Sequence, residues 1–349
     1  MSTEERPRCH AHLANSQNVN TPFESSQALF FEETHFTSQP SSPWHPLSLA
    51  KTLYLFTISD LFTFIVPNTT FGTSAALGGI SMPATNLHPT PDRLAILTKL
   101  PRIILWNWLN LLIFNLANQR NPPSVLEDSL NKPWRPIPSA RITAAQATRL
   151  LLLSLPVVLV CTYTLGAAEE TIILFTLTWM YNDLGGGDSN FVMRNILLAV
   201  AIGLYNLASL RIASNCALAD VSTPAWKWLG ITSTVIATTI QMQDMKDQKG
   251  DSAKGRRTAP LVLGDCVACW SIALPVVAWS VVCPAFWGVG LLGYFLPLGI
   301  GGGIVYRDLV CRGVREDKWT WWLWCFWMGV LWVIPVFSGS GDGLLLEFR

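Results

Sequence analysis

The chain has 349 residues, half of them hydrophobic, 13% charged, with a formal net charge of +1, whereas an ordinary soluble domain carries about 25% charged residues. A mean hydropathy of +0.34 and apolar runs that recur from Leu47 onward point to a membrane protein, and the balanced charge offers no basic field for nucleic acid. Eight cysteines in a chain of this length make no disulfide framework, and Cys266-Val-Ala-Cys269 lacks the second CxxC or His pair that zinc requires.

Residues 1–46 are polar and hold His10 and His12 but no apolar run, which predicts a disordered cytosolic tail without a signal peptide. Glu4-Glu5 and Glu32-Glu33 also argue against a mitochondrial presequence. Spanning helices of about 20 residues are predicted near 47–66, 94–118, 142–165, 170–184, 192–215, 226–248, 262–283, 286–306 and 319–337. The expectation is an all-α integral membrane protein, a bundle of about nine transmembrane helices over 47–338, with a short C-terminal tail at 339–349. Lipid cannot satisfy an open backbone, so helices are the default spanning element.

With the N-terminal tail in the cytosol, alternation places Arg120, Lys132, Arg135, Arg141, Arg149, Arg194, Lys246, Lys249, Lys254, Arg256, Arg257, Arg307, Arg312, Arg315 and Lys318 on the cytosolic side. Only Arg93, Lys99, Arg102, Lys227 and Arg349 fall opposite, as the positive-inside rule asks. The expected location is the endoplasmic reticulum, with the charged loops facing the cytosol. The Asn68-Thr69-Thr70 sequon falls on the far side, close to the membrane. The glycine run Gly299 to Gly303 lies inside an apolar stretch and predicts a kink or a close helix contact.

The sixth predicted span runs into Gln241-Met242-Gln243-Asp244-Met245-Lys246-Asp247-Gln248-Lys249-Gly250-Asp251, followed by Lys254, Arg256 and Arg257. On a helix Asp244, Asp247 and Asp251 share a stripe about 60° wide, with neighbouring Cβ atoms about 5–6 Å apart. Three like charges so placed repel unless a cation lies among them. Carboxylates without His or Cys suit a hard ion such as Mg²⁺, which shares its shell with water and phosphate oxygens. The cations downstream complement the phosphate charge. A solvated charged helix end is the plain alternative, weakened by the unbroken apolar run before the acids.

The loop after the second span repeats the order, with Asn121, Glu127, Asp128 and Asn131 before Lys132 and Arg135. Alternation puts both clusters on one membrane face. Above an apolar, aromatic cavity they fit a diphosphate bridged by Mg²⁺ and carrying a long hydrocarbon tail. Trp106, Phe114, Trp179, Tyr181 and Tyr205 are candidates for that cavity, although for any one of them helix packing or an interfacial belt is the favoured explanation. Trp319, Trp321, Trp322, Trp324 and Trp327 begin at a charged loop and predict a belt. Asn182-Asp183-Leu184-Gly185-Gly186-Gly187-Asp188 predicts either a cap over the site or a plain turn.

Asp244-x-x-Asp247-x-x-x-Asp251, together with Asp128-x-x-Asn131-x-Pro133-x-Arg135-Pro136-Ile137-Pro138-Ser139, resembles the UbiA superfamily of intramembrane prenyltransferases over roughly residues 50–338. The segment through Pro138-Ser139 is similar to its chlorophyll synthase branch. The resemblance implies a nine-helix bundle, two aspartate-rich motifs binding two Mg²⁺, and an isoprenyl diphosphate between them. The first motif departs from the family's Asn-Asp-x-x-Asp-x-x-x-Asp. Counting back from Asp128, Ser124 takes the preceding Asp position and Asn121 the Asp position before it; with a short insertion Asn118 takes the opening Asn position instead, and Glu127 is a substitute carboxylate.

That departure resembles the membrane-bound fungal terpene cyclases of the superfamily, the fumagillin type. The resemblance implies Mg²⁺-assisted ionisation of farnesyl diphosphate followed by cyclisation. Asp128, Asp244, Asp247 and Asp251 form the catalytic set, with Asp244, Asp247 and Asp251 on one metal and Asp128, Asn121 and Glu127 on the other. Lys132, Arg135, Lys254, Arg256 and Arg257 bind the diphosphate. The alternative is a prenyltransferase passing the same cation to an aromatic or quinone-like acceptor. A transporter or scaffold would need carboxylates deep in the membrane, where Asp60 is the main one.

Overall fold

The computed structural model of the chain describes residues 46–80 and 92–338, and the predicted N-terminal tail up to residue 45 and the C-terminal tail lie outside them. All the elements among the described residues are helical, the form in which an apolar segment satisfies its own backbone without water. The first span continues further than its sequence suggests. Helix α1 (Pro46–Asp60) passes through a π-helical turn, Leu61–Ile65, into α2 (Val66–Leu77). Pro67 would be expected to end the run, but it lies in the first turn of α2, where its missing N–H has no intrahelical use. The wide turn before it takes up the misfit. Asn68 of the sequon is consequently buried on a helix instead of standing in a loop.

A short α3 (Arg93–Leu97) leads into α4 (Leu100–Gln119), and α5 (Pro122–Asn131) follows. Helix α6 (Ala144–Leu165) opens on a reciprocal cap between Thr143 and Gln146 and closes at Gly166, whose φ of +83° is the left-handed stop that glycine supplies. Then come α7 (Ala168–Asn182), α8 (Gly186–Ser189), α9 (Phe191–Ser214), α10 (Thr223–Thr239), α11 (Met242–Met245) and α12 (Gln248–Lys254). The order ends with α13 (Ala259–Leu263), α14 (Asp265–Phe286), α15 (Leu292–Val310) and α16 (Val314–Val333).

Among the described residues six stretches are long and apolar enough to cross a bilayer: Pro46–Leu77, Arg93–Gln119, Ala144–Leu165, Phe191–Ser214, Asp265–Phe286 and Val314–Phe337. The other three segments predicted as spans are helices too, α7, α10 and α15, of 15, 17 and 19 residues, but they are not among these six. At 1.5 Å per residue α7 is about 22 Å long, short of a hydrocarbon core about 30 Å thick. Leu152, Leu153 and Val160 on α6 and Leu292 and Phe295 on α15 lie exposed, an apolar exterior that suits lipid and not water. The chain is an all-α integral membrane protein.

Two apolar cores hold the helices together. The larger joins α2, α9, α10, α14 and α16 through residues such as Phe71, Leu210, Trp228, Val276 and Trp327. The smaller joins α1, α4 and α6 through Phe56, Ile113, Leu116, Ala147 and Leu151. At Gly72 a Cβ would fall 2.3 Å from the Ser209 carbonyl carbon, so α2 and α9 meet backbone to backbone. The run around Gly301 is likewise a close contact: a Cβ there would lie 2.5 Å from Ser280 Oγ, the group to which Trp327 Nε1 donates at 3.0 Å. The tryptophans of α16 do not all form a belt. Trp319 and Trp322 are exposed, but Trp324, Trp327 and Trp332 are fully buried, because a 3.6-residue period turns them inward.

Candidate active site

Helix α5 is amphipathic in an unusual sense, since its buried face is polar. Ser124, Glu127 and Asp128 are buried and Asn131 partly so, the i, i+3, i+4, i+7 spacing of one helical side. That side packs against α12. Asn131 Nδ2 donates to the Asp247 carbonyl at 3.1 Å. A Cβ at Gly250 would come within 2.2 Å of the same Nδ2, so only glycine lets the two motifs approach this closely. Lys254 Nζ donates to Ser124 Oγ at 3.0 Å and lies 3.4 Å from Glu127 Oε2. Arg256 bridges Asp251 Oδ1 at 2.8 Å and Glu127 Oε2 at 3.1 Å. The two clusters read from sequence therefore meet on one end of the bundle.

The aspartate stripe of the second motif does not lie on one uninterrupted helix. Helix α10 stops at Thr239, Asp244 sits on α11, Asp247 stands at the junction, and Asp251 is on α12. The backbone stays tightly wound across the breaks, with Asp247 N–H donating to the Asp244 carbonyl at 3.2 Å and Asp251 N–H to the Asp247 carbonyl at 3.0 Å. Each acid leans on a cation. Asp128 takes both oxygens to Arg135 Nη1, at 2.8 and 3.0 Å. Asp247 pairs with Lys246 Nζ at 2.5 Å, and Lys246 Nζ also lies 5.4 Å from the centre of the Trp321 ring.

Three site residues, Arg194, Gln243 and Asp60, were given no site role in the sequence, and a fourth, Asp188, entered it only within the glycine-rich segment. Arg194, at the start of α9, is buried against Asp244 and bonds Tyr181 Oη through Nε at 3.1 Å. Gln243 completes the pair when its amide is turned oxygen-first toward Arg194, whose two Nη atoms then donate to it at 3.2 Å. Asp60 stands 3.7 Å from Arg135 Nη2, at the charged end of the bundle instead of in an ion path. Asp188 on α8 reaches Arg256 Nε at 2.7 Å and Lys254 Nζ at 3.2 Å. The glycine-rich segment thus packs against the site's cations as a short helix; a Cβ at Gly187 would strike the Tyr181 ring at 2.5 Å.

Beside these charges lies an apolar cavity lined by Phe64 of the π-helical turn, Leu111 and Phe114 of α4, Tyr181 of α7, and residues of α9 that include Ala201 and Tyr205. Phe114 and Tyr181 meet edge to face at 5.4 Å, and Tyr205 meets Phe64 at 4.6 Å and Trp106 at 5.5 Å. Of the aromatic candidates, Phe114, Tyr181 and Tyr205 line the cavity, Trp106 backs it, and Trp179 is exposed elsewhere.

The model of the UbiA prenyltransferase family matches residues 114–330, which run from the cavity wall through both acidic motifs into α16. The chain belongs to this family. A fumagillin β-trans-bergamotene synthase of Aspergillus fumigatus is 32% identical over 247 residues, covering 69% of this chain and 76% of that protein. A somaliensene A/B synthase of Streptomyces somaliensis is 28% identical over 280 residues, 76% of this chain and 86% of that one. Among solved structures, a UbiA homologue from Archaeoglobus fulgidus bound to DMAPP and Mg²⁺ superposes with a TM-score of 0.54 at 14% identity, covering 82% of this chain and 99% of that one. The protein is a UbiA-type isoprenyl-diphosphate enzyme of the membrane.

Within this UbiA site the charges are strongly perturbed. Burial pushes the Asp251 carboxyl up to about 7, with Arg256 opposing and Asp244 adding to the rise. Burial also raises Asp128 and Asp244 despite Arg135 and Arg194. For Asp247 burial is outweighed by Lys246 and Lys132, which hold it down at about 2. Glu127 likewise falls below its ordinary value, because Arg256 and Lys254 overcome its burial. Burial and the neighbouring Arg135 lower Lys132. Two predicted residues stand apart: Asn121 begins α5 and bonds the Asn182 carbonyl at 3.4 Å, and the Arg257 side chain is exposed.

The donor set fits a hard cation. It is all oxygen, and Asp244 Oδ2 and Asp251 Oδ2 are buried without a hydrogen-bond partner, a costly state that a metal would relieve. Among the described residues no three His, Cys, Asp or Glu side chains already surround one point; the acids are drawn to Arg and Lys instead.

Proposed function

We propose that the chain ionises farnesyl diphosphate with Mg²⁺ and cyclises the resulting cation, releasing diphosphate, in terpenoid secondary metabolism. The observation that carries this reading is the meeting of α5 with α12 at the charged end of the bundle, beside an aromatic cavity. The terpene synthases among its relatives favour it. Asp244, Asp247 and Asp251 would hold one Mg²⁺, and Asp128 with Glu127 the other. When bound, the ions would supply Lewis-acid charge to the diphosphate oxygens.

The chain's own groups would do the rest. Lys132, Arg135, Lys254 and Arg256 would take up the negative charge that grows on the leaving group as the C–O bond breaks. Leu111, Leu174 and Ile202 would keep water from the cation. The faces of Phe114, Tyr181 and Tyr205 would offer it negative π density. The basic loops favour the cytosolic side for this face, at the endoplasmic reticulum.

The test uses membranes containing the protein, incubated with geranyl, farnesyl or geranylgeranyl diphosphate with and without Mg²⁺, and extraction of hydrocarbons. A cyclic hydrocarbon from farnesyl diphosphate, formed only with Mg²⁺ and without an acceptor, is the expected result. Asp128→Ala and Asp247→Ala should each lower diphosphate release by at least about 100-fold, the scale of losing one electrostatic group at a reacting centre. Normal turnover in both variants would overturn the mechanism. The family's prenyltransferase members keep a second reading in view: consumption of substrate only when an aromatic or quinone-like acceptor is added.

A further inference from the structure

The cavity has a measurable depth, because α9 runs along its wall. Arg194, Leu197, Leu198, Ala201, Ile202 and Tyr205 step down that helix from the charged end. From Arg194 to Tyr205 is eleven residues, about 16 Å of helical rise. Helix α7 descends in parallel fashion on the facing wall, from Tyr181, whose hydroxyl touches Arg194, to Leu174.

The lower end is shut by rings. Tyr205 is buried, with the Phe64 ring edge-on at 4.6 Å and the Trp106 ring at 5.5 Å. Trp106 is itself fully buried and pinned by its Nε1 to the Ala167 carbonyl at 3.1 Å. Tyr205 therefore cannot swing away from the cavity without displacing a fixed indole.

An isoprene unit adds four chain bonds, about 5 Å when extended at ordinary carbon–carbon lengths. Three units need about 15 Å and four about 20 Å by the same measure. Resting on the isoprenyl-diphosphate reading above, we infer that Tyr205 is the residue that sets the prenyl chain length this cavity accepts, admitting three units and excluding the fourth. Ala201, one turn nearer the charges and also on the lining, is the place where added bulk would shorten the accepted chain.

The experiment measures diphosphate release from the C10, C15 and C20 diphosphates by membranes carrying the parent chain or a variant. The parent should favour C15 over C20. Tyr205→Ala should lower the C15:C20 ratio at least about tenfold, the scale on which an apolar pocket discriminates added chain atoms. Tyr205→Phe, which keeps the ring, should keep the ratio. Ala201→Phe should shift preference from C15 toward C10.

An unchanged ratio in an active Tyr205→Ala would overturn the inference. Where Tyr205→Ala fails to accumulate in the membrane, Ala201→Phe decides: no movement toward C10 would overturn it. Release of diphosphate from none of the three substrates by the parent would instead defeat the isoprenyl reading, and this inference with it.

Discussion

Asp244 illustrates how far single residues can be read. An acid entering the end of an apolar run demands a reason, and Asp247 and Asp251 were conspicuous on the same ground, Asp128 because its loop repeats the order of acids before cations. Its partner was not. Arg194 opens α9 and reads as an ordinary positively charged flank; the pairing spans 50 residues and exists only in the folded bundle. Removing one member of a buried pair costs about 3–5 kcal/mol, because the other is left charged and alone. Arg194→Leu should therefore lower the thermal midpoint of the purified protein in detergent by that much stability. Combining it with Asp244→Leu should restore most of the midpoint but none of the diphosphate release. A double variant no more stable than the single one would show that the pair is not coupled.

Helix boundaries were less legible than helix existence. Gln241 and Lys246 carry no glycine or proline signal, so nothing local announces the breaks that divide α10, α11 and α12. Pro67 carries a stop signal that a π-helical turn cancels. What decides both is tertiary. Gly250 shows the tightness of the contact, and Gly250→Ala should push α5 away from α12 and lower kcat/KM by up to about 100-fold, the scale of a 1 Å misplacement. Asn131→Ser, which shortens the group the new methyl meets, should recover part of the loss. Wild-type kinetics in Gly250→Ala would contradict so close an approach of α5 to α12. Helix α8 offers a second check. Asp188 occupies Lys254 and Arg256, the cations assigned to the leaving group, so Asp188→Asn should lower KM for the diphosphate substrate in steady-state assays. A raised KM would mean that Asp188 helps to hold the substrate.

For the whole molecule, apolar run lengths and the bias of basic residues were sufficient to find an all-helical membrane bundle with both acidic motifs at one end. Which helices touch was not readable, because apolar residues face lipid and neighbour alike, and only small residues such as Gly72 betray a contact. Gly72→Val should overpack the α2–α9 contact and cost at least about 1–3 kcal/mol, seen as a lower thermal midpoint in detergent. An unaltered midpoint would mean that the two backbones are not held together there. The pairing pattern of the charged end also bears on biogenesis. Asn131 and Asp247 leave the ribosome 116 residues apart. Yet Asp128 finds Arg135 seven residues on, Asp251 finds Arg256 five residues on, and Asp247 has its immediate neighbour Lys246. These three acids can thus be delivered to the bilayer already neutralised, while Glu127 waits for Lys254 and Arg256 of the later half.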